Sequence, residues 1–218
     1  MIVLMSAFLL LSAFSCGGGN KANSTSEQSE ETAVNVPQFD ADSAYLYVKN
    51  QVDFGPRVPN TKEHVACGNY LAGQLEAFGA QVTNQYADLI AYDGTLLKAR
   101  NIIGSYKPES KKRIALFAHW DTRPWADNDP DEKNHNTPIL GANDGASGVG
   151  ALLEIARLVN QQQPELGIDI ILLDAEDYGA PQFYTGQHKE EFWCLGSQYW
   201  ARNPHVQGYN AVSYTHLR

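Results

Sequence analysis

The chain has 218 residues, of which 43% are hydrophobic, which suits one packed α/β domain behind a leader. Its formal net charge of −9 argues against nucleic acid as a partner, because binding phosphate groups requires a basic surface. The sequence contains no internal repeat.

The N-terminus has the features of an export signal. Residues 1–15 form an apolar run that is shorter than the about 20 residues needed to cross a bilayer, and they predict a signal peptide. Cys16 follows directly and precedes three glycines, so the segment resembles a bacterial lipoprotein signal in which Cys16 carries the lipid. An ordinary secretory signal with an incidental Cys16 is the alternative.

Residues 16–38 are polar and low in complexity, and they predict a flexible tether between a membrane and the domain. We therefore expect an exported, membrane-anchored lipoprotein that faces the periplasm or the cell surface. In such an oxidising compartment Cys67 and Cys194 either form a disulfide or remain two buried thiols, and the sequence leaves both possibilities open.

Two helices and then two strands are predicted after the tether. Residues 40–52 and 61–78 carry apolar side chains at helical spacing, and Gly79 is typical of the position that ends a helix. Residues 80–87 and 99–105 predict the strands.

The stretch between residues 114 and 177 alternates strands with loops and one helix. It predicts a strand at 114–118, a helix at 145–161 and a strand at 168–173, and another helix follows at 192–202. This order of elements predicts an α/β sheet with helices on both faces.

Acidic residues and a histidine lie where these elements end, which is where ligands bind in open α/β sheets. His119 and Asp121 share a face, so Asp121 would either bind a metal or orient His119, and a plain hydrogen-bonded histidine is the alternative. Asp144 is either the N-cap of the following helix or a metal ligand. The small residues at 141–148 favour close approach of an ion or substrate.

Glu176 and Asp177 are adjacent acids directly after a buried strand. Such a pair is costly unless it is solvated, paired or bound to metal. Neighbouring side chains on an extended chain point opposite ways, so one carboxylate would bind a metal while the other faces the substrate. A solvated surface loop is the alternative, although it leaves unexplained why Asp174 is also acidic.

Three segments together resemble the zinc aminopeptidase superfamily, the relatives of peptidase family M28. They are residues 117–122 (FAHWDT), 141–148 (GANDGASG) and 173–177 (LDAED), which match in order and spacing. Residues 119–124 (HWDTRP) and 192–197 (FWCLGS) resemble the bacterial glutaminyl-peptide cyclotransferases, or glutaminyl cyclases, within that superfamily.

This resemblance implies a phosphorylase/hydrolase-like fold, with a mixed, mostly parallel sheet and helices on both faces. It also implies zinc ligands at Asp144 and Asp177 and a general acid/base at Glu176. His119 matches a ligand of the second metal in two-metal peptidases. The resemblance further implies an aromatic wall for the substrate pocket, formed by Trp193 and Trp125.

The implied activity is cyclisation of an N-terminal glutamine of a peptide or protein to pyroglutamate with release of ammonia. A two-zinc aminopeptidase that removes N-terminal residues is the alternative. A third hypothesis is a lipid-anchored binding domain that has lost its chemistry.

The family supplies a further histidine ligand from its C-terminal third, and His216 comes too early in the chain to be its counterpart. Residues 212–218 do not resemble the family at this point, and we expect them to be a foreign tail. The partial domain is therefore expected to span residues 39–211, with an incomplete and inactive site.

Overall fold

A five-stranded mixed sheet forms the centre of the domain. The structure is a computed structural model, and it describes residues 35–217. The predicted signal peptide, Cys16 and most of the predicted tether lie outside the described residues. Within residues 35–217, the helices are all too short or too polar to cross a membrane.

Within the described residues, four α-helices and two short 3₁₀ turns accompany the strands. The helices are α1 (Ala41–Asp53), α2 (Lys62–Ala77), α3 (Ala146–Gln161) and α4 (Leu195–Arg202). The strands are β1 (Gln81–Ile90), β2 (Leu96–Tyr106), β3 (Arg113–His119), β4 (Gly167–Leu173) and β5 (Ser213–His216). The 3₁₀ turns cover Glu132–Asn134 and Glu190–Phe192.

The strand order is β1-β2-β4-β3-β5. The hairpin of β1 and β2 is antiparallel, and β2 also runs antiparallel to β4. The strands β4, β3 and β5 are parallel to one another. The predicted mixed sheet is therefore confirmed, and its parallel half carries the ends of β3 and β4.

Helices cover both faces of the sheet, as the sequence predicts. On one face the apolar stripe of α3, including Leu152 and Leu153, packs with Leu71 and Leu75 of α2 over the sheet. On the other face the ring of Trp200 on α4 lies 5.2 Å from Phe117 of β3, edge to face. The buried strand β4 contributes side chains to both cores, as expected for a central strand.

The first two helices begin and end where local chemistry predicts. The carboxylate of Asp40 accepts hydrogen bonds from the N–H groups of Asp42 and Ser43, and Thr61 caps α2 by accepting from the N–H of His64. Gly79 follows α2 with a φ of 78°, a left-handed conformation that favours glycine.

The last helix is shorter than predicted. It begins at Leu195 rather than at residue 192, because residues 190–192 form a 3₁₀ turn and Cys194 adopts a left-handed conformation with φ 54°. The N–H of Cys194 donates to the carbonyl of Glu176, so this segment is tied to the loop after β4.

The C-terminal residues pair with the parallel half of the sheet. Residues 213–216 lie beside β3 as a strand, which the sequence pattern does not predict, and the foreign origin of residues 212–218 stays a prediction.

Cys67 and Cys194 are not joined by a disulfide, so the disulfide alternative is wrong. Burial raises the pKa of the Cys67 thiol to about 12.

Packing of α2 against the sheet gives a stability prediction. Leu75 is fully buried, so Leu75→Ala is expected to lower the free energy of unfolding by about 2–5 kcal/mol through lost burial and a residual cavity. Leu46, which is 51% exposed, is the matched control, and Leu46→Ala is expected to change stability by less than about 0.5 kcal/mol. Urea unfolding at equilibrium measures both, and equal effects would contradict this packing.

Candidate metal and catalytic site

The candidate site lies where β3 and β4 end side by side. His119, the last residue of β3, is in register with Leu173, the last residue of β4. The N–H of Trp120 donates to the carbonyl of Leu173 at 3.0 Å, which extends the pairing past both strands. Residues far apart in sequence therefore meet at one edge of the sheet, as the strand ends predict.

The loop from Asp174 to Asp177 is held at every peptide group. Its four N–H groups donate to side-chain oxygens at distances of 2.7 to 3.1 Å, and its four carbonyls accept bonds of 3.0 to 3.1 Å. The acceptors are Asn101, Asp174 itself and Asp121, and the donors are the N–H groups of Cys194, Leu195 and Gly196 and the guanidinium of Arg123.

Asp121 connects the end of β3 to this loop. Its two carboxylate oxygens accept from the N–H groups of Glu176 and Asp177, at 3.0 and 3.1 Å, and the residue is fully buried. One of these oxygens also lies 3.5 Å from Nδ1 of His119. Of the two roles open to Asp121, the geometry favours orientation of His119 over metal binding, because its oxygen faces Nδ1 of that histidine and Asp121 is not among the three grouped ligands described below.

The loop after β3 brings Asp144 to His119. Nε2 of His119 lies 2.9 Å from a carboxylate oxygen of Asp144. Asp144 does not cap α3, since the N-cap position is Gly145 and no side chain makes a cap hydrogen bond, so the N-cap alternative is wrong. A Cβ on Gly145 would lie 2.9 Å from the carbonyl of Asp121, so only glycine lets the backbone pass this closely.

Asp177 completes a group of three potential metal ligands. One ligand atom from each of His119, Asp144 and Asp177 lies within 4.8 Å of the other two. Imidazole nitrogen and carboxylate oxygen are both common zinc donors. The residues present therefore fit a divalent cation such as zinc. They are the three metal ligands that the family resemblance implies.

The charges of this group shift the pKa values of its members. Burial lowers the pKa of His119, but the carboxylates of Asp121 and Asp144 outweigh burial and raise it to about 11. Burial, followed by the negative charge of Asp121, raises the pKa of Asp177 to about 7. Protons on His119 and Asp177 thus neutralise part of the negative charge of this group. A bound cation would take the place of those protons.

Glu176 is largely buried beside this group and is not one of the three grouped ligands. It is close enough for its charge to affect both His119 and Asp177. One of its carboxylate oxygens lies 3.8 Å from Nε2 of His216 on β5. Of the two adjacent acids, Asp177 therefore belongs to the group of potential ligands and Glu176 lies beside that group. The assignment of one acid to a metal and the other to the substrate stays a prediction.

A cleft of about 290 Å³ opens beside Asp144, and Trp125 forms part of its wall. The guanidinium of Arg123, also in that wall, lies 4.7 Å from the ring of Trp193 and 5.6 Å from that of Trp125. Nε of Arg123 donates to Asp127 at 2.7 Å. The structure thus brings Trp125 to the cleft, whereas Trp193 packs against Arg123.

Asp174, whose acidity the sequence leaves unexplained, joins the loop after β4 to neighbouring elements. It is fully buried, and its carboxylate accepts from Nε2 of His64 at 2.9 Å and from the N–H of Arg100 at 2.6 Å. Burial raises the pKa of Asp174, and His64 opposes that shift. The sequence gives no signal for this pair, because its members are 110 residues apart.

Arg57 is a second residue that sequence reasoning misses. Its guanidinium is fully buried and donates to the carbonyls of Trp120, Leu140 and Gly141, at 3.1, 2.6 and 2.9 Å. It therefore holds the loop that leads to Asp144 against the end of β3. An arginine within a turn rich in glycine and proline carries no pattern that distinguishes it from a surface residue.

Residues 101–215 match peptidase family M28, and the chain belongs to that family. The resemblance predicted from residues 117–122, 141–148 and 173–177 is thereby confirmed. The match spans β3, β4 and the loops that carry the candidate site.

Several solved structures are similar to this chain. A glutaminyl cyclase of Bacteroides thetaiotaomicron bound to N-acetylhistamine is 92% identical, with a TM-score of 0.83, over 84% of this chain and 62% of that chain. A leucine aminopeptidase precursor from Bacteroides thetaiotaomicron VPI-5482 is also 92% identical, with a TM-score of 0.83, over 84% of this chain and 63% of that one.

A Zn-dependent exopeptidase from Parabacteroides distasonis ATCC 8503 is 62% identical, with a TM-score of 0.82, over 84% of this chain and 62% of that chain. This chain thus spans less than two thirds of the length of these three proteins. Their similarity confirms the predicted fold.

The shifted pKa of Asp177 predicts how metal binding depends on pH. Because metal ligands must be deprotonated, a proton on Asp177 competes with the metal below its pKa of about 7. Below about pH 7, the affinity of the wild-type protein for Zn²⁺ is therefore expected to fall as the pH is lowered. This fall should be about tenfold per pH unit greater than in the Asp177→Asn variant, which has no carboxylate to protonate at this position. Competition with a chelator between pH 8 and 5.5 measures this, and equal pH slopes in the two proteins would contradict it.

Proposed function

We propose that the protein is a zinc-dependent glutaminyl-peptide cyclotransferase that acts on the N-termini of peptides and proteins. The observation that carries the proposal is the grouping of His119, Asp144 and Asp177 within 4.8 Å, with the buried Glu176 beside it. Support also comes from the similar glutaminyl cyclase of Bacteroides thetaiotaomicron.

Asp144 and Asp177 are the proposed zinc ligands from this chain. When bound, zinc supplies Lewis-acid polarisation of the side-chain amide carbonyl of the substrate. Nε2 of His119 lies at hydrogen-bond distance from Asp144, which suits a histidine that positions a ligand in a site with one metal. The wall of the adjacent cleft at Trp125 would contact the glutamine side chain.

Glu176 is the proposed proton carrier. The α-amine nitrogen of the substrate forms a bond to the carbon of the side-chain amide and gives up a proton to Glu176. Glu176 then gives that proton to the amide nitrogen as its bond to carbon breaks, so pyroglutamate and ammonia are the products. Because the attack is intramolecular, the site contributes mainly by holding the folded-back substrate and excluding water.

A two-zinc aminopeptidase is the second candidate. The three grouped ligand atoms include His119, which would then bind an ion itself, and Glu176 would activate water for attack on the first peptide bond. The similar leucine aminopeptidase precursor and Zn-dependent exopeptidase support this candidate.

Peptides led by glutamine or by leucine distinguish the two candidates. Since this chain spans 62% of the Bacteroides thetaiotaomicron cyclase, the assay also uses an extended chain, in which residues up to Ala211 continue into the C-terminal part of that cyclase. We expect pyroglutamate and ammonia from the glutamine peptide and no product from the leucine peptide. Free amino acid from both, without pyroglutamate, would instead establish the aminopeptidase.

Replacing Glu176 tests its assignment. Glu176→Gln in the extended chain is expected to lower kcat by about 10²- to 10⁴-fold, because it removes the proton carrier. Zinc content, measured by atomic absorption, should not change. The matched control is Glu190→Gln, at an exposed position, which should retain full kcat. Near-normal turnover by Glu176→Gln would contradict the role.

We also propose that the protein is exported and anchored in a membrane through a lipid on Cys16. The apolar run before Cys16 and the polar residues after it support this proposal. Cys16→Ser is expected to move the protein from the detergent phase to the aqueous phase of a Triton X-114 separation, and to prevent labelling with radioactive palmitate. Equal labelling of both proteins would contradict the lipid site.

A further inference from the structure

The buried carboxylate of Asp174 lies at the start of the loop that carries Glu176 and Asp177. Both of its oxygens lie within hydrogen-bond distance of Nε2 of His64, at 3.0 and 2.9 Å. Its other donors are the backbone N–H groups of Arg100 and Ala175. His64 is therefore the side chain that satisfies this carboxylate.

The position of His64 is itself fixed by the end of β3. Its ring stacks on that of Trp120, with centroids 4.3 Å apart and planes 17° from parallel. Trp120 in turn donates from its indole to the carbonyl of Arg100, and it lies between His119 and Asp121 in sequence. His64 thus joins α2 to both halves of the candidate site without belonging to the metal group.

Asp174 controls an unusual turn. The residue after it, Ala175, has a φ of 52°, in the left-handed region that residues other than glycine rarely adopt. A carboxylate oxygen of Asp174 accepts from the N–H of Ala175 at 2.7 Å, which holds the turn in that conformation. The turn sets the direction in which the chain presents Glu176 and Asp177.

We propose that His64 is a positioning residue: by donating to Asp174 it maintains the left-handed turn at Ala175 and so places Glu176 and Asp177. This inference rests on the proposed function for the roles of those two residues. Without the donor, the buried carboxylate must find another partner or take up a proton, and either change weakens its hydrogen bond with the N–H of Ala175, which holds the turn.

A matched pair of substitutions isolates the hydrogen bond. Gln and Met have side chains of similar length, and both lose the stacking on Trp120, but only Gln retains an N–H donor. In the extended chain, His64→Met is expected to lower the affinity for Co²⁺ by about 10- to 100-fold and to alter the absorption spectrum of the bound ion. His64→Gln is expected to stay within about threefold of the wild-type affinity and to keep its spectrum.

Ser105→Ala controls for general destabilisation. Ser105 donates to the buried carboxylate of Asp169 at 2.6 Å, near the opposite ends of β3 and β4. Its loss should lower the melting temperature and leave the Co²⁺ spectrum unchanged. Wild-type Co²⁺ affinity and spectrum in a folded His64→Met protein would overturn the proposal, as would equal losses in the Met and Gln variants.

An Ala175→Gly background tests the proposed route through the turn, and it is also used if His64→Met alone does not fold. Glycine adopts a left-handed φ without strain, so the turn then depends less on Asp174. The loss caused by His64→Met should shrink to less than about threefold, and an undiminished loss would overturn the proposal. Because the Co²⁺ readout needs no turnover, it still tests His64 if glutamine peptides are not cyclised.

Discussion

Two hydrogen bonds between the carboxylate of Asp121 and the N–H groups of Glu176 and Asp177 determine the geometry of the site. They tie the end of β3 to the loop after β4, so residues from two strands are held as one unit. A buried carboxylate is stable there because backbone donors satisfy both oxygens. The other peptide groups of the loop are also bonded, so its side chains project from a fixed backbone.

The carboxylates at the two ends of β4 differ in how their charge is balanced. Near the start of β4, the carboxylate of Asp169 contacts His205, Arg113, Ser105 and Tyr209, and these contacts outweigh burial and hold its pKa below the usual range. At the other end of these strands, the carboxylates of Asp121 and Asp144 instead raise the pKa of His119. Among the described residues, His119 is the one histidine in the group of potential metal ligands. The charge of Asp169 is therefore neutralised by other residues of the protein, whereas the charge around His119 is neutralised by protons or by a metal.

The sequence predicts the strands and the acids at their ends because both depend on local patterns. Apolar runs define β3 and β4, and parallel neighbours bring Asp144 and Asp177 to one edge. The supporting contacts are not local: His64 meets Asp174 across 110 residues. The start of α4 is misplaced for the same kind of reason, since the left-handed Cys194 follows from a tertiary bond to the loop after β4 rather than from its own sequence.

Family membership supports the proposed ligands and proton carrier, but the choice between cyclisation and hydrolysis lies elsewhere in the site. Both reactions need a polarised carbonyl and a carboxylate that moves a proton, and the role proposed for Glu176 suits either. They differ in whether water reaches the carbonyl and in the number of ions. Trp125 lines the cleft beside Asp144, and Nε2 of His119 lies within hydrogen-bond distance of the same carboxylate. In the proposed cyclase that histidine positions a ligand, whereas in the aminopeptidase it binds the second ion, so the number of bound ions separates the two proposals.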